Sequence, residues 1–148
     1  MLTTLKEIIS EKNRAVQTAQ PEDSVYEAVH KMHQHNIGAL LVTKDDNLVG
    51  IFTERDVLFR VVHAGLDPKS TKVSEVMTPE PMSVAPSATV EQAMHLVTKK
   101  RIRHLPVVEN ERLFGLVSSG DLTRAVSSNQ EFQIDSLIRS VKVMAHGM

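Results

Sequence analysis

Apolar and polar positions along this chain follow a pattern that occurs twice. Residues 19–62 align with residues 84–127 without a gap at an offset of 65, and 11 of the 44 aligned positions are identical. Most other aligned positions keep their apolar or polar character. A fixed internal period of this kind is typical of a fold assembled from repeated units. The pattern therefore predicts a functional unit made of two copies of one module that face each other.

Each copy is predicted to fold as strand, helix, strand, strand, helix. Apolar residues three or four positions apart indicate a helix with one buried face, and a short apolar run indicates a buried strand. A polar turn between two such runs makes the pair a hairpin. In the first copy, the predicted elements are a strand at 15–18, a helix capped by Asp23 or Ser24 with Val25, Ala28, Val29 and Met32 facing inward, strands at 37–42 and 48–52, and a helix at 54–63 that Thr53 caps. In the second copy, they are a helix at 89–98 with Val90, Ala93, Met94 and Val97 facing inward, strands at 102–108 and 113–117, and a helix at 120–126 that Ser118 caps.

Segments outside the repeat set the predicted domain boundaries. The joining segment is rich in glycine and proline, which indicates a connector, and it contains one short helical turn at 73–77. After the second copy, apolar residues again recur at helical spacing, which predicts an amphipathic helix in the tail. The predicted organisation is repeat one with an N-terminal helix at 1–65, a linker at 66–81, repeat two at 82–128 and the tail at 129–148.

Composition excludes several functional classes. The 148 residues include no cysteine, which rules out a disulfide framework and thiolate metal sites. A net charge of −1 and an aromatic content of 3% argue against a nucleic-acid or anionic-lipid partner. No apolar run approaches the roughly 20 residues that a membrane-spanning helix needs, and the N-terminal segment does not resemble a signal peptide. We therefore expect a soluble cytoplasmic protein that binds neither nucleic acid nor membrane.

Two segments in register carry a resemblance to a known family. LVGIFTERDVL at 48–58 and LFGLVSSGDLT at 113–123 resemble the signature of the CBS domain, and NIGALLV and RIRHLPVV resemble the strand before it. The resemblance covers residues 3–127. It implies an α/β (α+β) fold in which two CBS repeats of βαββα type, a Bateman module, pack through their sheets about a pseudo-twofold axis. It also implies adenosine-containing ligands (AMP, ADP, ATP, NAD(H) or S-adenosylmethionine) in two clefts between the repeats, a regulatory function and a homodimer.

The chemistry of the repeated motif predicts what the clefts bind. In each copy a hydroxyl residue ends a strand and an aspartate follows three residues later, Thr53 with Asp56 and Ser118 with Asp121. Free N–H groups at the start of a helix attract an anion, and the hydroxyl adds a donor. A carboxylate one turn further on can accept both hydroxyl hydrogens of a ribose. We predict a site for phosphate and ribose in each copy. The alternative interpretation makes the hydroxyls helix caps and the aspartates partners of the helix dipole.

The two clefts are predicted to differ, because only the second copy has arginine at the start of its first hairpin strand. The resemblance implies that Arg103 and His104 reach phosphates, and that each cleft combines the hydroxyl and aspartate of one repeat with strand backbone of the other. A solvated charge run is the alternative interpretation of the basic stretch. The predicted primary cleft comprises Ser118, Asp121, Arg103, His104, Thr18, Ile37, Gly38 and Ala39. The predicted second cleft comprises Thr53, Asp56, Val84, Ile102 and Arg103.

Neither metal binding nor catalysis is predicted. His30 and His33 share a helix face next to His35, but no cysteine or suitably spaced acid completes a metal site. The sequence contains no nucleophile elbow, P-loop or catalytic triad, and no catalytic cofactor is expected. Two functions stay open. One is a stand-alone sensor that binds an adenosyl ligand and signals to an unidentified protein partner by conformational change. The other is a dimerisation scaffold whose clefts are vestigial.

Overall fold

The computed structural model describes residues 3–12 and 15–127, and these form a six-stranded sheet with helices packed against it. The strand order is β1-β2-β3-β6-β5, and β4 pairs with β3 beside this path. The predicted tail helix at 129–148 lies outside the described residues. The elements are α1 (Leu5–Lys12), β1 (Thr18–Ala19), α2 (Val25–His35), β2 (Ala39–Lys44), β3 (Asn47–Thr53), α3 (Glu54–Asp56) followed by a π-helix (Val57–Val62), α4 (Val73–Val76), β4 (Thr78–Pro79), α5 (Val90–Lys100), β5 (His104–Glu109), β6 (Arg112–Ser118) and α6 (Ser119–Ser127).

The two copies fold with the same local geometry. Each hairpin is antiparallel and shifts register at the corresponding place, after Val42 in the first copy and after Val107 in the second. Both hairpin turns place two residues in the left-handed region, at 45–46 and at 110–111. Aspartate and asparagine tolerate this conformation better than most side chains. The predicted repeat of two hairpin modules is therefore confirmed.

Hydroxyl side chains cap the starts of α2 and α5, and the sequence predicted the first of these caps but not the second. The Ser24 hydroxyl accepts a hydrogen bond from the N–H of Glu27 at 3.0 Å, so Ser24 rather than Asp23 caps α2. Thr89 and Gln92 cap α5 reciprocally, since each side chain accepts from the other's N–H, at 3.1 and 2.9 Å. These bonds satisfy N–H groups that have no partner within the helix.

Three details of the predicted elements are wrong. The strand predicted at 15–18 is observed only at Thr18–Ala19. Val29 was expected to face inward but is 37% exposed, because α2 presents only a narrow stripe to the sheet, namely Val25, Ala28 and Met32. The helix predicted at 54–63 is α-helical for one turn only and continues as the π-helix.

The two short helices α1 and α4 each pack on the core of the copy that does not directly follow them in the chain. Leu5 and Ile8 of α1 are buried in the core of the second copy, and the N–H of Leu5 donates to the carbonyl of Ala88 at 2.9 Å. Val73 and Val76 of α4 are buried in the core of the first copy. The N-terminal helix therefore packs on repeat two, although the chain runs from it into repeat one.

A third apolar cluster joins the copies. Ala39, Leu41 and Ile51 of the first hairpin are buried together, and Leu113 and Leu116 of the second hairpin pack against them. This contact lies on the opposite face of the β2–β3 hairpin from the first core, because side chains alternate along a strand. It brings the end of β6 close to the start of β2. Within the described part of the chain, no helix is long and apolar enough to cross a membrane.

Candidate functional site

A cavity of about 930 Å³ lies between the two copies. Small-molecule sites typically have volumes of ~300–1,000 Å³, so the cavity has room for a nucleotide-sized ligand. Its wall joins residues that are far apart in the sequence. From the predicted primary cleft, it contains Ile37, Gly38, Ala39, His104, Ser118 and Asp121.

The other two residues predicted for the primary cleft lie beside the cavity and are not among its lining residues. Thr18 is half-buried in β1, where its carbonyl accepts a hydrogen bond from Lys31 Nζ at 2.7 Å. Arg103 is exposed, and its carbonyl accepts from the N–H of Ser119 at 2.9 Å. The predicted contact of Arg103 with phosphate stays a prediction.

Ser118 and Asp121 hold each other in place at the start of α6. Asp121 Oδ2 accepts a hydrogen bond from the N–H of Ser118 at 2.8 Å, and Ser118 Oγ accepts from the N–H of Asp121 at 3.1 Å. The Asp121 side chain is only 4% exposed. The hydroxyl is thus a helix cap, as the alternative interpretation proposed, and it also belongs to the cavity wall.

Two cations that sequence reasoning missed bind the Asp121 carboxylate. Lys12 Nζ lies 2.8 Å from Oδ2, and Arg124 forms an ion pair with Oδ1. Both residues line the cavity. Arg124 follows Asp121 by three positions on a predicted helix, a spacing that could have indicated the pair. No comparable signal existed for Lys12, because it lies 109 positions from Asp121 in the sequence.

The charge of Asp121 follows from these contacts. Burial alone would raise the pKa of its carboxyl group, because a low-polarity environment disfavours the charged form. Hydrogen bonds from Lys12 and from the N–H of Ser118 outweigh burial, so the pKa lies below its ordinary value. Asp121 is therefore ionised at neutral pH and can accept hydrogen bonds from hydroxyl groups.

His104 is the second titratable group in the wall. Burial lowers its pKa, and the charges of Arg103 and Lys12 act in the same direction. The carboxylates of Glu54 and Asp121 act in the opposite direction but do not cancel the shift. The imidazole is therefore neutral at pH 7, with one nitrogen able to donate a hydrogen bond and the other able to accept one.

Because Gly38 has no side chain, there is space beside its backbone, and the side chain of Glu54 occupies that space. The sequence suggested that a ligand could approach the backbone closely there. The carboxylate of Glu54 instead lies where a Cβ on Gly38 would be, and the N–H of Glu54 donates to the carbonyl of Gly38 at 3.0 Å. The approach of a ligand to this part of the wall therefore depends on the position of Glu54.

The residues predicted for the second cleft form two separate groups. Thr53 and Asp56 are bonded to each other, with the N–H of Thr53 at 2.9 Å from Asp56 Oδ2. Val84 and Ile102 pack against the core of the second copy. The linker reaches Asp56, because the hydroxyl of Thr78 donates to its Oδ1 at 3.4 Å. Arg60 lies near the same oxygen, at 3.7 Å.

No group of three or more histidine, cysteine, aspartate or glutamate side chains that could hold a metal ion occurs among residues 3–12 and 15–127. The histidines at positions 30, 33 and 35 are exposed near the end of α2.

Comparison with known proteins identifies relatives along most of the chain. The family model of the CBS domain matches twice, at residues 5–63 and 73–128. The mitochondrial CBS domain-containing protein CBSX3 of Arabidopsis thaliana is 39% identical over 144 residues, covering 91% of this chain and 70% of the relative.

Solved structures give the same result. A CBS-domain containing protein from Agrobacterium tumefaciens is 40% identical, with a TM-score of 0.76 over 83% of this chain and 98% of that chain. Hypoxic Response Protein I, known from Mycobacterium tuberculosis, was solved with two coordinated zinc ions. It is 29% identical, with a TM-score of 0.73 over 82% of this chain and 98% of that chain.

Proposed function

The chain belongs to the CBS-domain family, with two repeats in tandem, and on that premise we propose that it binds an adenosine-containing ligand in the cavity at Asp121. Proteins of this kind are of the regulatory or signal-transduction type. The proposed ligands are AMP, ADP, ATP, NAD(H) and S-adenosylmethionine. No catalytic step is part of the proposal.

The observation that supports the proposal is the position of an ionised, buried carboxylate in the wall of a nucleotide-sized cavity. A carboxylate accepts two hydroxyl hydrogens, which is what the ribose of an adenosyl ligand offers. Basic side chains of Lys12 and Arg124 lie within bonding distance of Asp121 and suit an anionic group on the same ligand. Ala39, at the start of β2, also lines the cavity.

We place binding first at the Asp121 cavity and second at Asp56. The carboxylate of Asp56 already accepts from Thr78 of the linker strand and lies near Arg60. Val84 and Ile102, proposed for the same cleft, pack against the core of the second copy. A ligand at Asp56 would therefore have to displace part of the linker.

Calorimetry with the five ligands tests the proposal, with Asp121→Asn and Asp56→Asn as a matched pair. We expect saturable binding of at least one ligand and a loss of tenfold or more in affinity for Asp121→Asn. That loss corresponds to about 1.4 kcal/mol, within the range for a hydrogen bond to a charged group. Asp56→Asn is expected to change the affinity less.

Two results would count against this assignment. If none of the five ligands binds the wild-type protein, the sensor function fails and the scaffold function takes its place. If Asp56→Asn weakens binding more than Asp121→Asn does, the primary site has been placed in the wrong cleft. Thermal melting of both variants without ligand checks that each is folded.

Signalling is proposed to occur by a change in packing between the repeats or between subunits. A ligand can shift such an equilibrium only by its difference in affinity for the two states, typically ~1–3 kcal/mol. The third apolar cluster, which joins the two hairpins, is the contact that such a change would alter. The protein that responds to this change stays unidentified.

The alternative function, a dimerisation scaffold, has one specific observation in its favour. Leu58, Phe59 and Val62 of the π-helix, which we call the apolar patch, are each more than half exposed. Large exposed apolar surfaces mark interaction sites in soluble proteins. We propose a homodimer through this patch under either function. The cytoplasmic location expected from the sequence stays a prediction, and the Arabidopsis relative is mitochondrial by its name.

A further inference from the structure

Lys12 occupies one of the acceptor positions of the Asp121 carboxylate. Its ammonium group donates to Asp121 Oδ2 at 2.8 Å and to the carbonyl of Leu116 at 3.2 Å. The same Oδ2 already accepts the N–H of Ser118, and Oδ1 is paired with Arg124. A carboxylate has about four lone-pair positions, so a ligand diol must compete with one of the cations.

We propose that Lys12 is an exchangeable counter-ion of Asp121, and that this exchange makes the cavity select adenosyl ligands that carry a phosphate group. The inference rests on the proposed function, because it concerns the same cavity. It assigns a role to a residue of α1, and it narrows the ligand class to phosphorylated adenosine compounds.

Lys12 is the cation better suited to exchange through the cavity. Its side chain is 32% exposed and ends on a flexible four-carbon stem, so the ammonium can leave Asp121 while the helix stays in place. Leu5 and Ile8 anchor α1 in the second core. The stem of Lys12 therefore starts from a fixed position at the cavity wall.

Charge balance explains the selection. A neutral diol that replaces the ammonium removes an ion pair from a buried carboxylate and leaves the ammonium with no anionic partner, bonded only to the carbonyl of Leu116 among the contacts given above. A ligand phosphate restores a partner to Lys12, so the exchange becomes favourable for AMP and unfavourable for adenosine. A sulfonium ligand brings a positive charge close to Lys12 and Arg124, which repel it.

The first copy lacks this arrangement. The linker offers Asp56 a neutral hydroxyl from Thr78, and the nearest cation is Arg60 at 3.7 Å. Arg60 also donates to the carbonyls of Val76 and Met77, so it fastens the linker to the π-helix. Among the residues that the structure describes, no equally mobile ammonium is recorded on Asp56 for a ligand to pair with.

Calorimetry of wild type, Lys12→Met and Lys6→Met with AMP, adenosine and S-adenosylmethionine tests the inference. Lys6 is an exposed lysine on the same helix and serves as the matched control. For the wild type we expect AMP to bind at least about tenfold more tightly than adenosine, the worth of one charge-assisted hydrogen bond. Lys12→Met should bind adenosine more tightly and AMP more weakly, and so reduce this ratio about fivefold or more. Lys6→Met should keep the wild-type ratio.

A conservative variant separates charge from packing. Lys12→Arg retains a cation at the cavity and should keep the preference for AMP over adenosine. If Lys12→Met changes the affinities for AMP and adenosine by the same factor, or leaves both unchanged, Lys12 has a structural role only and the inference is overturned. The proposed function survives that result. If no adenosyl ligand binds the wild type at all, the proposed function fails and this inference fails with it.

Discussion

Asp121 and Asp56 lie 65 residues apart and have the same bond to the hydroxyl residue three positions earlier. They differ in what reaches their remaining oxygens. Lys12 comes to Asp121 from α1, and Thr78 comes to Asp56 from the linker. Two equivalent positions of the repeat thus have different charge environments, because the groups that complete them come from different segments of the chain.

The pKa of His104 gives a prediction at the residue scale. Its folded-state pKa lies below the ordinary value of 6.5, so the unfolded chain takes up a proton first as the pH falls. The contribution of His104 to the free energy of unfolding is therefore complete above about pH 6.5 and declines as the pH falls below that value. Urea denaturation at several pH values should show this decline, and His104→Gln should make it shallower.

His95→Gln is the control for this measurement, because His95 is exposed on α5. We expect it to follow the wild-type dependence on pH. Equal slopes for His104→Gln and wild type between pH 7.5 and 5.5 would contradict the assignment of a buried, neutral imidazole.

At the scale of elements, α1 is the helix that packs on the second core and contacts the cavity at Asp121. Its first turns bury Leu5 and Ile8 in the second core, and its last residue reaches Asp121. The N–H of Lys6 donates to the carbonyl of Pro86 at 3.0 Å, and the N–H of Val90 donates to the carbonyl of Thr3 at 2.9 Å. These bonds align α1 with the start of α5, so packing of α1 determines the position of Lys12.

Leu5→Ala tests whether α1 belongs to the core. Leu5 is fully buried, and removing such a side chain typically costs ~2–5 kcal/mol of the free energy of unfolding. Leu66→Ala removes the same atoms from an exposed position and should cost less than about 1 kcal/mol. Chemical denaturation measures both. A cost for Leu5→Ala as small as that for Leu66→Ala would show that α1 is not held in the second core.

For the whole molecule, the surfaces of the two copies differ more than their cores do. The apolar patch of the first copy aligns with Thr123, Arg124 and Ser127 in the second copy. The same surface is therefore apolar in the first copy and polar at the aligned positions of the second copy. An interface that buries the apolar face would have a defined orientation relative to the Asp121 cavity.

The dimer prediction follows from this asymmetry. Leu58→Asp combined with Val62→Asp places two charges in the apolar patch, and we expect this variant to be monomeric where the wild type is a dimer. Thr123→Asp, at the aligned position of the second copy, should leave the dimer intact. Sedimentation velocity measures the mass of each. A monomeric wild type, or a charged patch variant that still dimerises, would contradict the proposed interface.

Much of the fold could be predicted from the sequence, because its determinants are local. Hydrophobic periodicity indicated the hairpins, and the residues Ser24 and Thr89 cap helices through bonds that span only three positions. The bond between the hydroxyl residue and the aspartate three positions later depends on neighbouring residues in the same way. Recognition of the CBS pair depended on that motif occurring twice, and the family match confirms it.

By itself, then, the sequence determined the repeated module and the two hydroxyl–aspartate pairs, since each is written within a few neighbouring residues. Only the tertiary structure decided which groups complete each pair. Lys12 reaches Asp121 across 109 positions because the burial of Leu5 and Ile8 carries α1 onto the other repeat. A contact of that kind depends on how two cores pack together, and the periodicity of either core contains no information about it.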